Sequence, residues 1–171
     1  MAQRWFERKF QFDYPLEDYA NFAERLRKTP DRLEELTRGL TKEQLTNKPG
    51  HTWSIQENAG HLLQLESLWY GRIDDFLANS NSLTPADLNN RATDEGNYND
   101  HALADILTAF RRSRRTLTDR LETLAPQDFS RTATHPRLQA PMRLVDHLMF
   151  IAEHDDHHLA RIQEIRSKLG V

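Results

Sequence analysis

The stretch IAEHDDHHLARIQEI, residues 151–165, sets three histidines and three acids into six consecutive positions. Histidine is both a frequent metal ligand and an acid–base group near neutral pH. Three readings compete: a solvated helix face, core histidines with hydrogen-bond partners, or part of a metal site. At about 100° per residue, His154 and His158 lie about 40° apart on one side of a helix. Leu144, Ile151, Ile162, Ile165 and Leu169 fall on that side too. Glu153 and Asp156 point to water and His157 to the rim, while Asp155 projects toward the apolar side. A solvated face therefore accounts for Glu153, Asp156 and His157. It fails for His154, His158 and Asp155, because a buried polar group without a partner is costly.

Two histidines at i and i+4 suit a single ion, since one helical turn sets them above each other. Zinc, nickel or iron needs a third protein ligand from another element, and an open position if it is to catalyse. His61 is the candidate. It lies at the edge of the face formed by Leu65, Trp69 and Ile73, where a lone histidine also reads as a satisfied core residue. His51, His101 and His135 fall in loops or at helix ends, where solvent is the simpler environment. His147 shares the side of His154, but seven residues separate them, about 10 Å along the axis and too far to share one ion. It reads as a core-edge histidine.

Four long helical patterns must position these side chains. The first covers about 17–39, with a kink or restart expected at Thr29-Pro30, because proline removes a backbone donor and crowds the preceding turn; Thr29 would cap the restarted piece, with Pro30 at its first position. A short turn at 40–45 and a loop at 46–51 follow. The second opens on SIQE (54–57), a capping box, and continues through Leu62, Leu65, Trp69, Ile73 and Phe76. Residues 80–98 form an irregular polar connection of a length that is often functional or wraps the core. The third helix is expected over about 100–124 with Asn99 as cap, and the fourth from about 142 to Gly170 behind Pro141. No alternating strand pattern stands out. The expected fold is all-α, a four-helix bundle in one domain spanning 1–171.

The net charge is −3 over 171 residues and the pI is near 6.2, a balance that argues against nucleic-acid and membrane partners. The basic cluster FRRSRR (110–115) spreads around a helix and reads as a solvated face. Cysteine is absent, which removes disulfides, thiolate ligands and a cysteine nucleophile. Any thiol chemistry would need a thiol from a small molecule. The N-terminal MAQRWFERKF lacks a signal-peptide pattern and no apolar run approaches a membrane span, so the expected location is the cytoplasm. Trp5, Phe6, Phe10 and Phe12 must pack on something, either this bundle or the partner of a homodimer.

WSIQENAGHLLQLE (53–66) followed by LVDHLMFIAEHDDHHLARI (144–162) resembles the DinB-like (YfiT-type) helical-bundle family, and the resemblance extends over essentially the whole chain. It implies a four-helix bundle with up-down-down-up connectivity and a three-histidine site for a divalent metal, usually zinc or nickel. Carried over by motif, the ligands are His61, His154 and His158. The family is similar to thiol-dependent transferases and isomerases, and other members are described as hydrolases. The resemblance therefore implies a metal-dependent enzyme acting on a small molecule, either a hydrolase or a transferase using a low-molecular-weight thiol; fold alone does not choose the reaction. Asp155 and Glu57 are the candidates for orienting the ligating rings. The alternatives are a non-catalytic, metal-binding stress-response protein, or a metal-free core in which the three histidines are hydrogen-bonded.

Overall fold

The structure is a computed structural model that describes residues 5–48, 50 and 52–171; His51 lies outside the described residues. Six helices, α1 (Tyr19–Thr37), α2 (Lys42–Thr46), α3 (Ile55–Leu77), α4 (Arg91–Glu95), α5 (Leu103–Glu122) and α6 (Leu144–Leu169), are joined by short 3₁₀ turns. A small antiparallel hairpin, β1 (Thr132–His135) with β2 (Ala140–Arg143), precedes α6. This hairpin was not expected from the sequence: four-residue strands are too short to show a period. It absorbs Pro141, so α6 starts at Leu144, and the Arg143 amide donates to Asp146 Oδ2 at 3.1 Å. No described helix is long and apolar enough to cross a membrane.

Cross-helix polar contacts give the directions of the four long helices. Along α1, Arg25, Thr29 and Arg32 meet Glu153, Asp155 and Asp156 of α6 in the same order, so these two run parallel. Against α5 the order reverses: Arg27 pairs with Glu122, and Asp31 and Glu34 pair with Arg111. Helices α3 and α5 run parallel, Glu66 meeting Arg114 and Asp74 meeting Arg120. Helices α3 and α6 run antiparallel, with Asn58 at His158 and Trp69 at His147. The connectivity is therefore up-down-down-up. The parallel step from α3 to α5 requires a long crossover, which is the role of residues 78–102.

Three local expectations change. Helix α1 runs through Pro30 without a break. Proline has no N–H for the Leu26 carbonyl four residues back, and that carbonyl instead accepts from Arg114 Nη1 at 3.0 Å. Thr29 does not cap a restarted helix; its hydroxyl donates to Asp155 Oδ2 at 2.8 Å. Asn99 does not cap α5, which starts at Leu103 behind Ala102; its Oδ1 accepts from Ser54 Oγ at 2.7 Å.

Arg114 also corrects the reading of residues 110–115 as a solvated face. Its side chain is 1 % exposed. Its guanidinium donates to Glu66 on α3 at 2.6 Å, to Asp155 on α6 at 2.5 Å and to the Leu26 carbonyl on α1. One side chain on α5 thus joins all four long helices. Burial pushes the Glu66 carboxyl up, against the pull of Arg114. The facing carboxylates hold Arg114 above its ordinary pKa in spite of its burial.

Candidate metal centre

The antiparallel crossing of α3 and α6 sets His61 opposite one face of the fourth helix. Ser54 and Glu57 start α3 with the expected reciprocal cap, Ser54 Oγ accepting the Glu57 amide at 3.0 Å and Glu57 Oε2 accepting the Ser54 amide at 2.9 Å. This places His61 two turns in, where Gly60 lets the Tyr98 ring lie directly on the helix backbone. On α6, one turn separates His154 from His158.

Nitrogens of His61, His154 and His158 all lie within 4.8 Å of one another, and all three residues are buried. The Nε2 atoms of His61 and His154 are 3.4 Å apart. Two ligands about 2.0–2.1 Å from one ion at a tetrahedral angle would stand about 3.3 Å apart, so this spacing fits a shared ion. Burial holds all three rings neutral, the form that binds metal. The pKa of His61 is pushed down to about 4, and those of His154 and His158 fall well below 6.5, by desolvation and then by mutual repulsion with neighbouring histidines.

The remote nitrogens of two rings are held. His158 Nδ1 lies 2.9 Å from Asn58 Oδ1, and the Asn58 amide nitrogen donates to the Ser54 carbonyl at 2.7 Å. The amide orientation is thereby set, the His158 proton sits on Nδ1, and Nε2 keeps a lone pair. His61 Nδ1 lies 2.9 Å from Thr93 Oγ1; with the hydroxyl accepting from Nδ1–H, His61 Nε2 keeps its lone pair for an ion. The donor set and its tautomers therefore fit a divalent ion.

These contacts correct the two orienting candidates. The Asp155 carboxylate is taken by Arg114 and Thr29, because its bearing on α6 aims it at α1 and α5 rather than at α3. Glu57 caps α3 and pairs with Lys48 at 2.5 Å. The orienting partners are instead Asn58 and Thr93. Asn58 gave no signal beyond its place one turn into α3, while Thr93 lies in the long connection marked as unusual.

The histidine cluster faces a cavity of about 690 Å³ that Trp53 and Trp69 help to wall. Trp53 lies 4.7 Å from the His61 ring and donates to Asp94 at 2.9 Å. His157 lines the cavity beside the cluster and packs on Trp5, and burial lowers its pKa to about 4. Trp5 and Phe10 also contact Phe150, so the aromatic N-terminus packs on its own bundle. His101 is exposed, as expected. His135 is not: it is 2 % exposed and lines the cavity. The β1–β2 hairpin carries it inward, an arrangement no local pattern reveals. His147 is fully buried between Trp69 and Phe76.

Comparison with known proteins agrees with this architecture. YfiT from Bacillus subtilis, described as a probable metal-dependent hydrolase with an unusual four-helix bundle topology, superposes with a TM-score of 0.82 at 23% identity. The match covers 96% of this chain and 94% of that one. No curated protein matches the chain. The model of the DinB superfamily matches residues 25–162, and with that span including both the Gly60-His61 segment of α3 and the His154–His158 turn of α6, the chain belongs to the DinB superfamily.

Proposed function

We propose that the protein is a divalent-metal-dependent enzyme in which His61, His154 and His158 hold the ion, and that it hydrolyses a small molecule bound in the adjoining cavity. The observation that carries this reading is the convergence of three neutral imidazoles whose free nitrogens face one another while Asn58 and Thr93 hold two of the rings from behind. Zinc and nickel suit an all-imidazole donor set. When bound, such an ion keeps its full charge and supplies Lewis acidity at a position left open by only three protein ligands. Trp53 and Trp69 place apolar ring surface against His61 and His154 on the cavity side of the cluster. The description of YfiT as a probable metal-dependent hydrolase supports hydrolysis.

Thiol transfer is the second reading, favoured by cavity size. A volume of about 690 Å³ lies well inside the range for small-molecule sites and leaves room for a substrate beside a low-molecular-weight thiol. With no cysteine in the chain, that thiol must come from solution.

Elemental analysis of protein purified without added metal tests the foundation: about one ion per chain is expected, and its loss in His154→Ala and His158→Ala with the helical far-UV spectrum retained. Full occupancy in either variant rejects the site, whereas His101→Ala should keep the metal. Ester and amide substrates assayed with and without added thiol then separate hydrolysis from transfer.

A further inference from the structure

At one side of the same cavity, two arginines face inward with no carboxylate in ion-pair contact; Asp75, one turn along α3, partly offsets the charge of Arg72, but its Oδ2 already accepts the Thr84 amide at 2.6 Å. Arg72, on α3, is 1 % exposed. Its Nε donates to the Thr84 carbonyl at 2.9 Å, and its guanidinium sits 5.4 Å from the Trp69 centroid. Arg137, in the β1–β2 turn, lies against Phe6 and Phe150, and its buried Nη2 has no hydrogen-bond partner. Among the described residues neither arginine has an ion pair, although both line the cavity. Each depresses the pKa of His135, after the larger effect of burial, so the two charges converge on one place. The nearby Asp87 carboxylate is already taken by the amides of Asn89 and Arg91, at 3.0 and 2.8 Å.

His135 sharpens the point. Its Nδ1 accepts the Leu138 amide at 3.3 Å, so the proton of the neutral ring is on Nε2. That Nε2 stands 3.4 Å from Arg72 Nη1, one donor facing another. Buried donors and buried positive charge without acceptors are costly, and one oxyanion placed among them would satisfy all three groups. Guanidinium groups match carboxylate and phosphate oxygens in this way.

We propose that Arg72, Arg137 and the Nε2–H of His135 form an oxyanion subsite, and that the substrate is an amphipathic small molecule carrying a carboxylate or phosphate. The proposal rests on reading the cavity as the active site and names its substrate class. Trp69 links the two ends: Arg72 lies against one part of the indole and His154 is 5.6 Å from its centroid. A small molecule anchored by the arginines therefore reaches the histidine cluster. The mouth is apolar, with Phe6 55% and Leu88 51% exposed, which suits the uncharged body of such a ligand.

The test is calorimetric binding of phenylacetate, phenyl phosphate and the neutral phenylacetamide to the full-length protein, with metal content measured on the same samples. At least one anion should bind at least tenfold tighter than phenylacetamide, and the tighter anion identifies the group recognised. Arg137→Gln, at a half-buried position, should weaken that anion at least tenfold with metal content unchanged. Arg72→Gln should do the same if it folds; if it does not, Arg137→Gln decides. Equal affinity for phenylacetamide, no binding of either anion at millimolar concentration, or unchanged affinity in Arg137→Gln overturns the subsite. Anion binding that survives in Arg137→Gln but disappears with the metal assigns recognition to the ion instead. Absent metal with anion binding intact would sink the proposed function and leave the subsite standing.

Discussion

His158 on α6 and Asn58 on α3 meet through a hydrogen bond of 2.9 Å, between Nδ1 of the ring and the side-chain carbonyl of the amide. Residues 100 positions apart in sequence thus hold one imidazole with its other nitrogen toward His61 and His154. Removing the carbonyl in Asn58→Ala leaves a buried N–H unpaired and the ring free to turn. Loss of such a partner typically costs about 10–100-fold in metal affinity, and that is the fall expected in a chelator competition assay, with the fold retained. Unchanged affinity would mean the amide has no part in positioning His158.

Gly60 carries a second prediction. A Cβ there would stand 2.1 Å from Cγ of Tyr98, close to that residue's backbone, where the side chain has little room to yield. Alanine favours a helix interior by about 1 kcal/mol over glycine, but overpacking of this kind costs about 1–3 kcal/mol. Gly60→Ala should therefore destabilise the protein in urea melts. It should also weaken metal binding, because Thr93 lies on the segment that Tyr98 pins to α3. A raised melting midpoint would refute the contact.

Arg114 is expected to show the asymmetry of buried ion pairs. Arg114→Met strands Glu66 and Asp155 without a counter-charge and should cost about 3–5 kcal/mol. Replacing all three with apolar residues of similar volume should recover most of that loss. Arg114→Lys keeps the charge but not the fork that reaches three helices, so it should fall between wild type and Arg114→Met in denaturant melts.

Acid sensitivity follows from the neutral histidines. Burial lowers the pKa of His147 well below 6.5 and that of His135 to about 3, against about 6.5 in the unfolded chain. Below that value the unfolded state binds more protons than the folded one. The stability these groups contribute is therefore present above about pH 6.5 and is lost as the pH falls toward their folded pKa. A fully buried histidine such as His147 contributes a loss of about 1.4 kcal/mol per pH unit in that window, and His135, bordering the cavity, contributes less. Metal-free protein should thus lose stability between pH 7.5 and 5.5 in urea melts. The buried positions of His135 and His147 make the stability of the fold itself depend on pH, apart from any metal. A flat profile for the metal-free protein would show that these rings are not buried neutral in solution. Metal release from the folded protein in the same window should take up few protons, because burial already holds His61, His154 and His158 neutral.

What the sequence by itself determined is whatever repeats with the turn of a helix. The four long helices, the cap at Ser54, and the inward bearing of His61, His154, His158 and Asp155 follow from a spacing of three and four residues, which is a local property of the chain. Only the tertiary structure decided what stands opposite each inward side chain. Asp155 was correctly placed inside, yet its partners are Thr29 and Arg114 rather than a histidine, because α6 turns that edge toward α1 and α5. Arg114 reads as one arginine of a solvated cluster until the carbonyl freed by Pro30 and two carboxylates from other helices surround it. His135 reads as a loop residue until a four-residue hairpin carries it into the cavity beside Arg72. In each case the deciding partner is remote in sequence, and no periodicity along the chain encodes the distance at which two separate elements come to rest.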